Sequence, residues 1–156
     1  MKCCIFFCYS INSFNFINNF FIKMKNEFEQ ISKVSGFMKH NGGLLFRDVS
    51  DTEFEFKSTI QDIHLNKREI THGGFICSLI DAGAGTAVYR ASNNQSCVTI
   101  SLDVKFISPS RLGDEILGKV NILKKTRSML FVNCNLYINK NIIASATGVW
   151  KVVKKI

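Results

Sequence analysis

The chain of 156 residues is 46% hydrophobic and 21% charged, contains a single proline and has a formal net charge of +8. This balance argues against a disordered protein, and the length predicts one domain with a buried core. The basic charge suits a polyanionic partner such as nucleic acid, an anionic membrane or a phosphorylated small molecule, although many soluble proteins are this basic.

The first 23 residues differ from the rest, since they hold six of the fourteen phenylalanines and no acidic residue. Asparagines interrupt their apolar run, which makes the segment a poor transmembrane helix, and no small-residue cleavage site is present. We predict that translation starts naturally at Met24, which leaves residues 1–23 as an extension outside the domain of residues 24–156. The alternative is an uncleaved membrane-tethering or targeting segment, and targeting would move the protein from the cytoplasm to an organellar matrix.

The next part of the chain predicts a helix, two strands and a second helix. Residues 25–35 have apolar positions at spacings of three, which predicts a short helix. Two strands joined by a turn follow at residues 44–48 and 53–60, and residues 61–72 form a polar loop. Residues 73–90 have a helical period and many small residues, which predicts a long helix deep against a sheet.

Four strands complete the domain, with turn signals between them, at about residues 98–106, 116–122, 130–138 and 142–153. Two strands, one long buried helix and four meandering strands make an α+β domain. The simplest packing wraps the curved sheet around the helix.

Six cysteines are present, and none forms a CxxC pair or a cluster with metal-ligand spacing. We therefore expect no metal site. Cys77, Cys97 and Cys134 lie singly in apolar segments, and we interpret them as reduced core thiols of a cytoplasmic protein.

Polar groups concentrate in the loop and the first half of the long helix. Gly73-Gly74 follows His72 at the helix start, where free backbone N–H groups suit a carbonyl oxygen or an oxyanion. Asp81 lies nine residues after His72 on an otherwise apolar helix, where a buried carboxylate needs a partner. The plain alternatives are a loop-to-helix turn, a histidine that caps it, and an aspartate that is exposed or satisfied by a neighbour.

Taken together, this pattern resembles the hotdog-fold acyl-CoA thioesterases of the PaaI, or phenylacetate-degradation, type. The shared motif is H-x-N, then HGG, then an aspartate, and the matching residues are His64, Asn66, His72, Gly73, Gly74 and Asp81. The resemblance covers residues 44–153 and extends to Thr99, to Phe106-Ile107-Ser108-Pro109, and to the small residues before Gly148 and Trp150. It implies an α+β hotdog fold, in which an antiparallel curved sheet wraps around one long central helix.

The resemblance also implies the roles of the catalytic residues in acyl-CoA hydrolysis. Asp81 is expected to be the nucleophile or general base, with Thr99 assisting near it, and Asn66 to position substrate or water. The Gly74 N–H is expected to polarise the thioester carbonyl, next to His72. A desolvated carboxylate is more basic and more nucleophilic, which would explain a buried Asp81.

A homodimer with joined sheets, paired again into a homotetramer, is the assembly that the resemblance implies. Each active site would then combine Asp81 from one subunit with Asn66 and the HGG segment from the other. No cofactor is expected, and neither nucleic acid nor a membrane is an expected partner of residues 24–156. Binding of the phosphates of coenzyme A requires basic groups at the site. The expected substrate-binding residues are Gly73 together with the basic residues Arg68, Arg90, Lys105, Arg111 and Arg127.

Glu69 departs from the family pattern, because members commonly have a glycine three residues before the HGG histidine. This difference motivates an alternative function, a non-catalytic acyl-CoA binding or sensing protein. Nucleic-acid binding rests only on the net charge, and a dehydratase lacks its usual histidine with a downstream glutamate. Phe75, Leu79 and Phe106 are the expected walls of an apolar or aromatic acyl pocket.

Overall fold

The computed structural model describes residues 27–153, so the predictions for residues 1–23 and for a start at Met24 lie outside the described residues. In chain order the elements are β1 (Glu29–Gln30), α1 (Phe37–His40), β2 (Leu45–Asp48), β3 (Glu53–Thr59), a 3-10 turn (Asp62–His64), α2 (Gly73–Ala91), β4 (Cys97–Phe106), β5 (Glu115–Lys125), β6 (Met129–Ile138) and β7 (Asn141–Val152).

The strands of this part of the chain form one seven-stranded antiparallel sheet, in the order β1-β2-β3-β5-β6-β7-β4. The apolar side of α2, including Leu79, Ile80 and Ala84, packs against inward-facing strand residues such as Leu136 and Trp150, and all five are buried. The core therefore lies between one long helix and the inner face of a curved sheet, which confirms the predicted α+β hotdog fold.

Close contact between α2 and the sheet explains one of the helix glycines. The fully buried ring of Phe56 on β3 lies between Gly83 on α2 and Gly118 on β5, and a Cβ at either glycine would overlap that ring. A glycine inside a helix costs about 1 kcal/mol relative to alanine. Burial of a phenylalanine side chain contributes about 1.5–3 kcal/mol, so the close approach more than offsets that cost.

The helix predicted over residues 25–35 is wrong for the described residues of that range. Glu29 and Gln30 instead pair with Phe46 and Leu45 at the edge of the sheet, and the short helix α1 comes later, after Gly36. An isolated helix of about three turns is marginal, so pairing with β2 outweighs the local periodicity. Neither helix of residues 27–153 is long and apolar enough to cross a membrane.

The position of β4 also differs from the predicted meander. β4 is followed by a connection over residues 107–114 that passes β7 and β6, and it pairs with β7 in a register that aligns Thr99 with Trp150 and Phe106 with Ala144. Turn signals mark where a strand ends, but they do not determine which strand becomes its neighbour. As a result β4 is the outermost strand on this side of the sheet, with one edge unpaired within the described chain.

Candidate active site

Backbone hydrogen bonds fix the loop that leads into α2. Leu65 and Thr71 form an isolated antiparallel bridge, and the Asn66 N–H donates to the Ile70 carbonyl at 2.8 Å. Thr71 is tied to the connection after β4, because its N–H donates to the Ser110 carbonyl at 2.8 Å. The loop is therefore a short closed turn held on both sides.

Asn66 has a specific orientation in this turn. Its Oδ1 accepts a hydrogen bond from the Arg68 N–H at 2.8 Å. The side-chain oxygen is thus engaged by the loop itself, and the amino group Nδ2 is the part that can donate to a ligand.

Glu69 occupies the point of the turn where the backbone is left-handed, with φ of 58°. Its N–H donates to the Asn66 carbonyl at 2.9 Å. A non-glycine residue costs about 1–2 kcal/mol in this conformation. Family members commonly have a glycine at the position of Glu69, and the left-handed backbone there favours glycine. The turn nevertheless forms with the glutamate.

His64 connects the loop to the start of α2. It is buried, its ring stacks on Phe75 at a centroid distance of 3.6 Å, and its carbonyl accepts the His72 N–H at 2.8 Å. The Gln61 N–H donates to His64 Nδ1 at 3.0 Å, and burial lowers the pKa of His64, against a smaller opposing effect of a backbone hydrogen bond to Asn41. His64 therefore positions the HGG segment rather than facing a substrate.

His72 caps the start of α2, as the plain reading of this histidine expected. Its Nδ1 accepts the Gly74 N–H at 2.9 Å, and its carbonyl accepts the N–H groups of Phe75 and Ile76. Among the first four N–H groups of α2, that of Gly73 alone has no hydrogen-bond acceptor within residues 27–153. The positive end of the helix dipole adds to the preference of this N–H for an oxygen ligand.

Asn66 and Gly73 line the same cavity, which we call the loop cavity and which has a volume of about 430 Å³. Phe106 at the end of β4 and Pro109 in the following connection form its other side. The Phe106 ring lies 3.4 Å from the place that a Cβ on Gly73 would take. The structure thus brings together three sequence segments that the resemblance matched separately.

Asp81 lies on the exposed side of α2, and its Oδ1 accepts a hydrogen bond from the Thr99 hydroxyl at 2.7 Å. The expectation of a buried Asp81 is therefore wrong for the single chain, because the strand beside it, β4, is an edge strand with no further strand beyond it among residues 27–153. The alternative in which Asp81 is exposed and satisfied by a neighbouring side chain is confirmed, because the Thr99 hydroxyl donates this hydrogen bond.

A second cavity, which we call the helix cavity, begins at Asp81 and has a volume of about 530 Å³. It contains Thr99, Gly85, Cys97 and Trp150. Burial raises the pKa of the Cys97 thiol, and the negative charge of Asp81 raises it further, so this thiol is neutral at pH 7. Sequence reasoning did not single out Gly85, although its position one helical turn after Asp81 was a usable signal.

A β-bulge lets one strand serve both cavities. Thr99 and Phe106 are seven positions apart, which in a regular strand would put their side chains on opposite faces. The register shifts between Thr99 and Ser101, so Ile100 is an extra residue, and both side chains lie on the α2 side.

The two cavities are nevertheless separate within one chain. His72 and Asp81 are nine residues apart, which is about 13 Å along the helix axis. No residue in the described range 27–153 lines both cavities. Asn66 and Gly73 therefore cannot reach the same thioester carbon as Asp81 of the same chain.

The basic residues predicted to bind substrate lie at different places in the structure. Arg90 is at the far end of α2 from Gly73, and it is ion-paired with Glu29 and with Asp48, the latter at 3.9 Å. Lys105 pairs with Asp103 on β4. The exposed residues among the predicted binding set also include Arg68, Arg111 and Arg127.

Two of the expected acyl-pocket walls are wrong. Phe75 and Leu79 are buried in the core and line neither cavity. The helical period could not separate these positions from the Asp81 side, because α2 is apolar around most of its circumference. Phe106 does line a cavity, but it is the loop cavity.

Comparisons with known proteins give a consistent result. The family model of the thioesterase superfamily matches residues 69–144, which include the HGG segment, Asp81 and Thr99. Acyl-coenzyme A thioesterase 13 of Mus musculus is 26% identical over 77 residues, which are 49% of this chain and 55% of that protein.

Two solved structures share the fold. Thioesterase superfamily member 2 of zebra fish is 18% identical with a TM-score of 0.71, and the match covers 89% of this chain and 97% of that one. A hypothetical thioesterase protein of Streptococcus pneumoniae, solved with coenzyme A, is 18% identical with a TM-score of 0.68 over 82% and 97% of the two chains.

Proposed function

Because this chain belongs to the hotdog-fold thioesterase superfamily, we propose that it hydrolyses acyl-CoA thioesters to a free acid and coenzyme A. The observation that carries the proposal is the pair of Asp81 and Thr99, hydrogen-bonded at the mouth of a cavity. The name of the mouse relative, an acyl-coenzyme A thioesterase, and the coenzyme A bound to the Streptococcus pneumoniae protein support the substrate class.

The active unit is a homodimer formed through β4. This strand has an unpaired edge and exposes Val98, Ile100 and Phe106 to 45%, 55% and 60%. A long edge strand with exposed apolar side chains favours pairing with another strand. Antiparallel pairing of two copies, with Thr99 opposite Phe106 of the second copy, joins the helix cavity of one to the loop cavity of the other. Two such dimers pairing again would give the homotetramer.

The joined cavities divide the reaction between two copies. The thioester carbonyl oxygen accepts hydrogen bonds from Asn66 Nδ2 and from the start of α2 in one copy, and Asp81 of the other copy faces the carbonyl carbon. We place the carbonyl at the Gly73 N–H, since the Gly74 N–H that the motif indicated is donated to His72. Gly74 and His72 then act by holding the first turn of α2 in place.

The chemistry at the carbonyl carbon has two routes. Asp81 removes a proton from a water molecule that adds to the carbon, or its carboxylate adds directly and water cleaves the resulting anhydride. In both routes the C–S bond breaks and the coenzyme A sulfur takes a proton. Backbone and amide donors stabilise the oxyanion formed on the way, and the Thr99 hydroxyl keeps the reactive carboxylate oriented.

The basic groups near the loop cavity bind the phosphates of coenzyme A. Arg68 is exposed in the turn next to Asn66, and Arg111 is exposed after Ser110, another lining residue of that cavity. Lys105 and Arg127 remain proposed phosphate contacts, and the ion pairs of Arg90 argue against a role for it.

The free thiols of Cys77, Cys97 and Cys134 support the cytoplasm as the compartment.

A non-catalytic acyl-CoA binding protein is the second candidate. The observation that favours it is the hydrogen bond from the Gly74 N–H to His72, after which one N–H at the helix start has no acceptor among the described residues. Acyl-CoA that binds tightly without any thiol release would favour this candidate over hydrolysis.

Replacement of the carboxylate tests the proposed hydrolysis. Purified wild type should release free thiol from acyl-CoAs, and Asp81→Asn should lower kcat by about 10²–10⁴-fold, since the amide neither accepts a proton nor attacks. Asp62→Asn is the matched control, because Asp62 is an exposed aspartate that lines neither cavity. Unchanged turnover in Asp81→Asn would reject the assigned role of this residue.

A further inference from the structure

The helix cavity continues well beyond the reactive carboxylate. It extends along α2 from Asp81 past Gly85 to Tyr89, and Met38 and Trp150 line it from other elements. Asp81 is the single charged residue among its lining residues, all of which lie in residues 27–153.

Its polar side chains are already engaged near Asp81. The Thr86 hydroxyl donates to the Ala82 carbonyl at 2.8 Å, and the Cys97 thiol lies 3.5 Å from the Gly85 carbonyl. The Thr99 hydroxyl donates its hydrogen bond to Asp81. Apart from the Trp150 Nε1–H, which faces Gly85, a ligand in this part of the cavity therefore meets apolar atoms and neutral groups that already have partners.

Gly85 differs from the other glycine in the middle of α2. Gly83 is required by packing, because a Cβ there would overlap the Phe56 ring. At Gly85 the nearest atom to an added Cβ is Trp150 Nε1 at 3.6 Å, which is ordinary van der Waals contact. Helix packing thus does not require a glycine at Gly85, and the missing side chain leaves open space inside the cavity, one turn from Asp81.

We propose that the helix cavity binds the acyl group of the substrate and that Gly85 determines how long and how bulky this group can be. This inference rests on the proposed thioester hydrolysis and adds the substrate class. The acyl group is apolar and uncharged, with its carbonyl carbon at Asp81 and its chain running past Gly85 towards Met38 and Tyr89.

The charge of the cavity excludes one class of acyl group. A chain that ends in a carboxylate would place a second negative charge in a space where Asp81 is the sole charged group among the described lining residues. Desolvation and like-charge repulsion both disfavour that arrangement. Acyl-CoAs with a terminal carboxylate should therefore be poor substrates compared with apolar acyl-CoAs of equal length.

Kinetics across chain length test the inference. Thiol release is measured with acetyl-, hexanoyl- and decanoyl-CoA, and with adipoyl-CoA as the carboxylated partner of hexanoyl-CoA. Gly85→Leu should lower kcat/KM for decanoyl-CoA by about tenfold or more while acetyl-CoA changes by less than about threefold, since a pocket distinguishes acyl groups by the space it leaves for each methylene. Gly85→Ala should fall between wild type and Gly85→Leu.

Two further variants keep the test decisive. Gly83→Ala is the matched control, because it should lower Tm and affect all chain lengths alike. Met38→Ala enlarges the cavity from the other side and should shift preference towards longer chains, whether or not Gly85→Leu folds. Equal loss at all lengths in a folded Gly85→Leu, no shift in Met38→Ala, or adipoyl-CoA turned over as fast as hexanoyl-CoA would overturn the inference. Absence of thiol release from every acyl-CoA by the wild type would instead reject the proposed hydrolysis.

Discussion

The two ends of the α2 segment from Gly73 to Asp81 are built in different ways. The Gly73 end is finished within one chain, by the turn around Asn66, the cap from His72 and the ring of Phe106. The Asp81 end, within the part of the chain that the structure describes, has one side-chain hydrogen bond to an edge strand and is otherwise exposed. A donor site made from backbone can be completed by local structure, whereas the environment of the carboxylate depends on what lies beyond β4.

After loss of the Asp81 carboxylate itself, the largest expected effect comes from the Gly73 end. Gly73→Pro removes one N–H and little else, since proline is favoured at the first helical position and His72 before it has an extended conformation with φ of −64° and ψ of 132°. We expect kcat to fall by about 10²–10³-fold at unchanged Tm, the range seen when one oxyanion donor is lost.

Gly73→Ala is the control for that change, because it keeps the N–H and its Cβ would meet the Phe106 ring at 3.4 Å. If Gly73→Pro and Gly73→Ala have the same kcat, the Gly73 N–H is not the donor.

Thr99 tests the other end of the comparison. Thr99→Val keeps the shape of the side chain and removes the hydroxyl that donates to Asp81. We expect kcat to fall by about 10–100-fold, because one hydrogen bond to a charged group contributes about 1.5–3 kcal/mol. Thr99→Ser should restore most of the activity, and a Thr99→Ser variant as slow as Thr99→Val would contradict the role of the hydroxyl.

The pH dependence of stability tests how His64 holds the Gly73 end. Burial lowers the pKa of His64 in the folded state below its ordinary value of 6.5. Between the folded pKa and 6.5, His64 therefore binds more protons in the unfolded chain than in the folded one. The free energy of unfolding is at its full value above about pH 6.5. It decreases as pH falls towards the folded pKa, by up to about 1.4 kcal/mol per pH unit.

Urea unfolding between pH 5 and 7.5 measures this dependence. His64→Phe should flatten the slope, and the matched variant His40→Gln, which changes an exposed histidine, should leave it as in the wild type. A wild-type slope that persists in His64→Phe would assign it to other groups.

The smallest expected effect concerns Glu69. Glu69→Gly relieves a left-handed backbone with φ of 58°, and we expect stabilisation by about 0.5–1 kcal/mol after the extra entropy of glycine in the unfolded chain is subtracted. Lys140→Gly, at φ of 72° in the turn between β6 and β7, is a control with the same backbone effect away from the site. Both should raise Tm, and Glu69→Gly alone should change KM for acyl-CoA; destabilisation by Glu69→Gly would contradict the assigned strain.

Much of the fold could be predicted from local patterns. The bounds of α2 and of the longer strands follow from strong periodicity, and the structure confirms them within one to three residues. The place of β4 could not be predicted, because pairing with β7 is a long-range choice that turn residues do not encode. The same holds for Glu29 and Gln30, where pairing with β2 replaced the predicted helix.

The candidate site divides in the same manner. Of the residues that the motif marked, Asn66 lines the loop cavity, Asp81 lines the helix cavity and His72 caps α2, while their catalytic roles stay predictions. The motif could not distinguish the N–H of Gly73 from that of Gly74, since this depends on the side-chain orientation of His72. Nor could it separate Gly83 from Gly85, because the difference lies in which side chain of the sheet faces each glycine.

We propose that Asp81 of one copy works with Asn66 and Gly73 of another. Two inactive variants, Asp81→Asn and Gly73→Pro, are co-expressed with different tags, and the mixed dimer is purified through both tags. Random pairing of inactive copies leaves one intact site in each mixed dimer, so the purified mixed dimer should regain about half of wild-type activity per dimer. A mixed dimer as inactive as its parents, or a wild type that is active as a monomer, would contradict the account.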